Sequence, residues 1–127
     1  MEKLVFTTGM VEYALENGAI LRFNPRDPSV IEGFLSLEEK ICDLHPQGEN
    51  NLEKWADADT RCRELLTQVF PGNDFQQILG PGNSLALCEN GVSTLGNFLD
   101  AVEPILEHGV KVLMEEAIQK AKERRGE

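Results

Sequence analysis

LLTQVFPGNDFQQILGPGNSLALC, residues 65–88, is the stretch whose reading decides the fold. Pro71, Gly72, Gly80, Pro81 and Gly82 stop helices at two points, one short helix apart. Between them Asp74 precedes Phe75, Gln76, Gln77, Ile78 and Leu79, a capped turn or two of helix with three large apolar side chains. The stretch therefore predicts a joint, with a short helix over 74–79, between two helical halves.

N-terminal to the joint, a helix is predicted over 51–70, starting near Asn50 or Asn51. Leu52, Trp55, Asp59, Cys62, Leu65 or Leu66, and Val69 share one of its faces, and Asp59 is the polar exception. Trp55, the sole Trp, is expected to anchor this helix to the one before it. That earlier helix is predicted over 28–45, with Asp27 as cap, Pro28 in the first turn and Pro46 beyond its end. Val30, Phe34, Leu37, Ile41 and Leu44 form its core stripe, and Gly33 within it permits close helix packing. Residues 3–24 read as a β-hairpin region. Leu4 to Thr8 is β-branched and aromatic, Val11, Tyr13 and Leu15 alternate with less apolar residues, and Asn17-Gly18 signals a type I′ turn. A lone hairpin is marginal, so it must lie on a helix or offer its edge to a partner.

C-terminal to the joint, Asn83 or Ser84 is the expected cap of a third helical region. Cys88, Val92, Leu95, Leu99, Val102, Leu106, Val110, Leu113 and Ala117 follow at three- and four-residue spacings, nearly a heptad seam. Gly91, Gly96 and Gly109 weaken it, and Pro104 removes a backbone hydrogen bond and clashes with the carbonyl of Asp100. The reading is a helix over 84–103, a kink or break at Pro104, and a second helix over 105–124. The expected fold is mainly α: an N-terminal β-hairpin, then a bundle of four to five helices whose long C-terminal region is kinked near Pro104. One domain spans residues 1–127.

With 22 acidic against 12 basic residues and a formal net charge of −10, the chain repels phosphate backbones. No nucleic acid and no anionic membrane is expected as partner, and no segment has membrane-spanning length. Cys42, Cys62 and Cys88 are odd in number, form no C-x-x-C, and each falls on an apolar helical face, as small buried hydrophobes do. Arg61 and Arg63 flank Cys62 but point away from it on a helix, so they activate its thiol weakly at most. Unpaired thiols fit a reducing cytoplasm. Nucleophile elbows, phosphate-binding loops and zinc spacing are all missing, and neither cofactor nor metal is expected. Glu38, Glu39 and Asp43 faintly resemble the paired acids of helical nucleotide pyrophosphohydrolases. Cys42 stands where that motif needs Glu, however, and helix two lacks the matching acids.

The layout resembles the small tail assembly chaperones of siphophages and prophages of Gram-positive bacteria. The likeness rests on a hairpin leading into FNPRDP (residues 23–28), on LLTQVFPGNDF (65–75) and ILGPGNSLALC (78–88), and on a long acidic helical C-terminus. It leaves out the first ten residues and the charged tail, and none of its motifs is catalytic. The resemblance implies a non-enzymatic protein of the bacterial host cytoplasm. Such a protein binds the long helical tape measure protein, or another helical tail protein, before the tail tube polymerises. Residue spacing adds the expected contact surface, Leu99, Val102, Leu106, Val110 and Leu113, on a stripe longer than two neighbouring helices easily cover. The seam and the hairpin edge also suggest a homo-oligomer. The alternatives are a structural head–tail or tail component, a small oligomeric helical adaptor, and, behind both, a pyrophosphohydrolase.

Overall fold

A computed structural model describes residues 1–46 and 52–126. Two strands, β1 (Val11–Ala14) and β2 (Ile20–Phe23), precede α1 (Pro28–Leu44), α2 (Leu52–Val69), α3 (Phe75–Leu79) and α4 (Thr94–Arg124). The protein is mainly helical, with the hairpin at its N-terminal end, as the sequence predicts. The expected start of α2 at Asn50 or Asn51 lies outside the described residues.

The hairpin is shorter than expected. Residues 1–10 form no strand, and Leu4, Val5 and Phe6 are 86 %, 86 % and 71 % exposed. β-propensity at Leu4 to Thr8 finds no ladder to join, because Gly9 at φ +79° turns the chain before Val11. β1 and β2 pair antiparallel with Tyr13 opposite Leu21 and Glu12 opposite Arg22. The turn is not type I′ either: only Gly18 has positive φ. Gly18 N–H donates to the Leu15 carbonyl and Leu15 N–H to the Ala19 carbonyl, a three-residue loop of Glu16, Asn17 and Gly18. Asn17 is thereby freed for a longer reach, and its amide donates to the carbonyls of Gln77 (3.0 Å) and Ile78 (3.1 Å) at the end of α3.

A second asparagine ties the other side of the hairpin to the joint. Asn73 Oδ1 accepts from Arg22 N–H at 2.7 Å, and its Nδ2 donates to the Arg22 carbonyl at 2.8 Å. The Arg22 backbone groups face away from β1, so the Asn73 amide stands in for a neighbouring strand on the open edge of β2. The edge expected to serve oligomerisation is closed there from within. Below it, Phe23 stacks on Tyr13 at 5.1 Å and meets Phe70 edge-on at 5.1 Å, so the hairpin lies on the helices. Phe70, fully buried, also packs against Phe75 and Phe98. Phe75, Ile78 and Leu79 are all buried, which places the short helix of the joint in the core.

Two of the three predicted caps hold: Asp27 Oδ1 accepts from Ser29 N–H, and Asp74 Oδ1 from the N–H groups of Gln76 and Gln77. α1 crosses α2 closely at Gly33, where a Cβ would lie 3.3 Å from Val69. Trp55 meets His45, at the end of α1, edge-on at 5.0 Å.

The polar exception on α2 proves structural. Arg63, 5 % exposed, donates from Nε to Asp59 Oδ1 (3.1 Å), from Nη1 to the Phe75 carbonyl (2.7 Å), and from Nη2 to the carbonyls of Gly80 (3.0 Å) and Gly82 (2.7 Å). Asp59 also accepts from the backbone N–H and the hydroxyl of Ser84, which is fully buried. Burial pushes the Asp59 carboxyl up, but the hydrogen bonds from Ser84 and the Arg63 guanidinium outweigh it and hold it below the ordinary aspartate range. One ion pair thus fixes where the chain goes after α3. Cys62 beside it is fully buried, and burial followed by the Asp59 charge pushes its thiol up to about 11, the opposite of activation. Cys42 and Cys88, expected on buried faces, are exposed.

Ser84 therefore caps no helix, and residues 84–93 are not helical. Ser84 is held by Asp59, and Leu87 bridges to Ser93 around a tight turn at Gly91, φ +79°. The true cap is Ser93, whose hydroxyl accepts from Gly96 N–H at 2.9 Å. From Thr94 the helix runs unbroken through Pro104 for 31 residues, so the predicted helices 84–103 and 105–124 are one element beginning ten residues late. The four helices among the described residues stand at the lower end of the expected four to five.

Candidate functional site

Two helices that approach each other only in passing leave a groove. Residues of α1 and α4 line its two walls. α1 supplies Ile31, Phe34, Leu35 and Glu38, one face at three- and four-residue spacing. α4 supplies Leu99, Asp100, Glu103, Leu106, Glu107 and Val110, likewise one face. The groove encloses about 150 Å³. Its floor is aliphatic and aromatic, with Leu35 at 74 % and Val110 at 39 % exposure.

All four charged groups that line it (Glu38, Asp100, Glu103 and Glu107) are carboxylates, on both helices. An apolar trough between acidic rims favours a ligand that is apolar along one line and basic beside it. Among the described residues no group of three or more His, Cys, Asp and Glu is placed to hold a metal ion. The acidic trio of α1 is also split. Glu38 faces α4, whereas Asp43 lines a separate depression against Arg61 and Glu64 of α2.

Of the five residues expected to contact a partner, Leu99, Leu106 and Val110 line the groove. Val102 does not: at 3 % exposure it is core. Leu106, at 2 %, offers the groove only an edge, and half-buried Leu113 packs against the core from beyond it. Sequence periodicity found the α4 wall and missed the α1 wall. Ile31 and Leu35 flank the core stripe of α1, and an apolar pair beside a stripe already wide enough for burial was the available signal.

Beyond the groove α4 continues as an arm. Gly109 is buried and passes so close to the hairpin connection that a Cβ there would lie 1.8 Å from the Pro25 carbonyl oxygen. After Leu113 the helix leaves the body, and from Met114 onward every described residue is exposed, including Met114 at 61 % and Ile118 at 56 %.

Among the described residues no helix is long and apolar enough to cross a membrane. Comparison of the chain with protein-family models, curated proteins and solved structures finds no match.

Proposed function

We propose that this protein is a non-enzymatic helix-binding chaperone of phage tail assembly, and that its client, the tape measure protein, is received in the groove between α1 and α4. The observation that carries the reading is the trough of Phe34, Leu35, Leu99 and Val110 bracketed by Glu38, Asp100, Glu103 and Glu107. An unassembled tape measure helix shows an apolar stripe to water, and an apolar groove covers such a stripe by the helix-in-groove mode. Carboxylate rims keep the complex strongly charged and select a stripe with Lys or Arg beside it. The tail-chaperone resemblance of residues 15–107 supplies the identity of the client, and the groove supplies a place for it.

The test is co-purification with a tape measure protein. Leu106 is too buried to probe binding without unfolding, so Leu35→Asp and Val110→Asp are the informative changes. Each is expected to abolish capture while circular dichroism shows native helix content. Undiminished capture by both folded variants would remove the groove from the reading. Purified tails retaining the protein at fixed copy number would favour a structural tail component instead.

A further inference from the structure

The geometry points to a closed homodimer in which the α4 arm of each copy lies in the acidic groove of the other. The arm is the ligand that the groove chemistry describes. Val110, Leu113, Met114, Ala117, Ile118 and Ala121 recur at i, i+3, i+4, i+7, i+8 and i+11, a single apolar stripe. Lys111 and Lys122 flank that stripe on one side and Lys120 on the other, while Glu115, Glu116 and Glu123 fall on the far face. Beyond Leu113, which packs against the core, the stripe is uncovered within one chain, with Met114 and Ile118 both more than half exposed.

Arm and groove also lie on the same face of α4. Leu99, Glu103, Leu106 and Val110 continue in register into Met114, Ala117 and Ala121, so one helix face is acid-flanked in its first half and lysine-flanked in its second. A face of that kind is self-complementary when two copies run antiparallel. With the twofold axis at Val110, Leu106 of one copy meets Met114 of the other, and Leu99 meets Ala121. Asp100 then stands beside Lys122 of the other copy on the same flank of the seam, ten and twelve residues from the axis. Because the contact is isologous, every interaction forms twice and no free arm remains to extend a filament. The dimer is the client-free form, since arm and client helix contend for one groove, and the inference uses the groove and the arm alone, whatever the client.

Sedimentation velocity or light scattering on the full chain tests it, without a client, from micromolar to millimolar concentration. The expected mass is twice 14.2 kDa. Ile118→Asp, at an exposed site, is expected to return the single-chain mass with helix content retained. Lys122→Glu should weaken dimerisation about tenfold by setting like charges together, and adding Asp100→Lys should restore it. Because both charged sites are exposed, this pair decides the matter even if Ile118→Asp disturbs the helix. A single-chain mass throughout overturns the proposal, as does a dimer indifferent to both Ile118→Asp and Met114→Asp. A mass climbing past two chains, or a charge swap that fails to restore pairing, overturns the closed antiparallel arrangement.

Discussion

At the joint, one arginine donates to four oxygens and three phenylalanine rings meet, while fifteen residues past Gly109 the end of α4 touches little beyond its own helix. Both regions combine apolar side chains with a few charges, and they differ in what closes around them. Asn17, Asn73, Asp59 and Arg63 bring the hairpin, α2 and the post-α3 loop onto the joint. Among the described residues no buried side-chain polar atom is left without a hydrogen-bond partner. The arm has an apolar stripe of comparable regularity, but Leu113 is its last described residue packed against the core. A periodic stripe therefore reports that something covers it, and not whether that cover lies in the same chain.

The strongest way to break the contrast is at Arg63. Arg63→Met is expected to destabilise the fold by about 4 kcal/mol, because it strands the Asp59 carboxylate and the carbonyls of Phe75, Gly80 and Gly82. Urea unfolding followed by circular dichroism measures it, and a loss near zero would mean that water replaces the guanidinium without cost. At the boundary between the two regions, Gly109→Ala adds a methyl where the Pro25 carbonyl stands. It is expected to cost about 2 kcal/mol, although Ala is intrinsically the better helix former by ~1 kcal/mol.

Acid sharpens the comparison without mutation. The Asp59 carboxyl is lowered in the folded protein because hydrogen bonds from Ser84 and Arg63 prevail over burial. Its contribution is therefore complete above the unfolded-state value and is lost as pH falls through the lower folded one. The urea midpoint should drop more steeply below about pH 4 in the native sequence than in Asp59→Asn. Parallel slopes would show that the ion pair does not control stability. The smallest effect belongs to the arm: Ile118→Ala, measured dilute enough to hold single chains, should change fold stability by less than ~0.5 kcal/mol. A cost of several times that amount would place Ile118 against its own chain.

Much of this layout was legible before the structure. Asp27 and Asp74 name their helices because an N-cap is a local event, and Phe70, Phe75, Ile78 and Leu79 read as core because Pro and Gly hemmed in a short apolar run. Residues 84–93 misled because Cys88 and Val92 continue the seam spacing by coincidence. The competing local signals, Asn90-Gly91 and a capping Ser93, were the ones that held. Leu4 to Thr8 misled in the same way: strand propensity means nothing without a neighbouring strand, and Asn73 had taken the free edge of β2. Of the groove, the α4 wall was visible as a stripe. The α1 wall was not, because periodicity cannot tell a residue facing a neighbour from one facing the gap beside it.

By itself the sequence determined helix caps, the breaks at Pro71 and Gly80, the hairpin and the long apolar seam, all set by steric and hydrogen-bonding rules within a few residues. Only the tertiary structure decided that Arg63 is a buried organiser and not a surface charge. It likewise decided that α4 passes through Pro104 unbroken, and that Val102 is core while Val110 borders a groove with acidic rims. Those outcomes turn on which distant segments come within reach. An arginine finds the carbonyls of Phe75, Gly80 and Gly82, a glycine meets a carbonyl on the hairpin connection, and the end of α4 finds no cover in its own chain. Spacing along the chain fixes the direction a side chain takes from its helix, and packing between helices fixes what it meets.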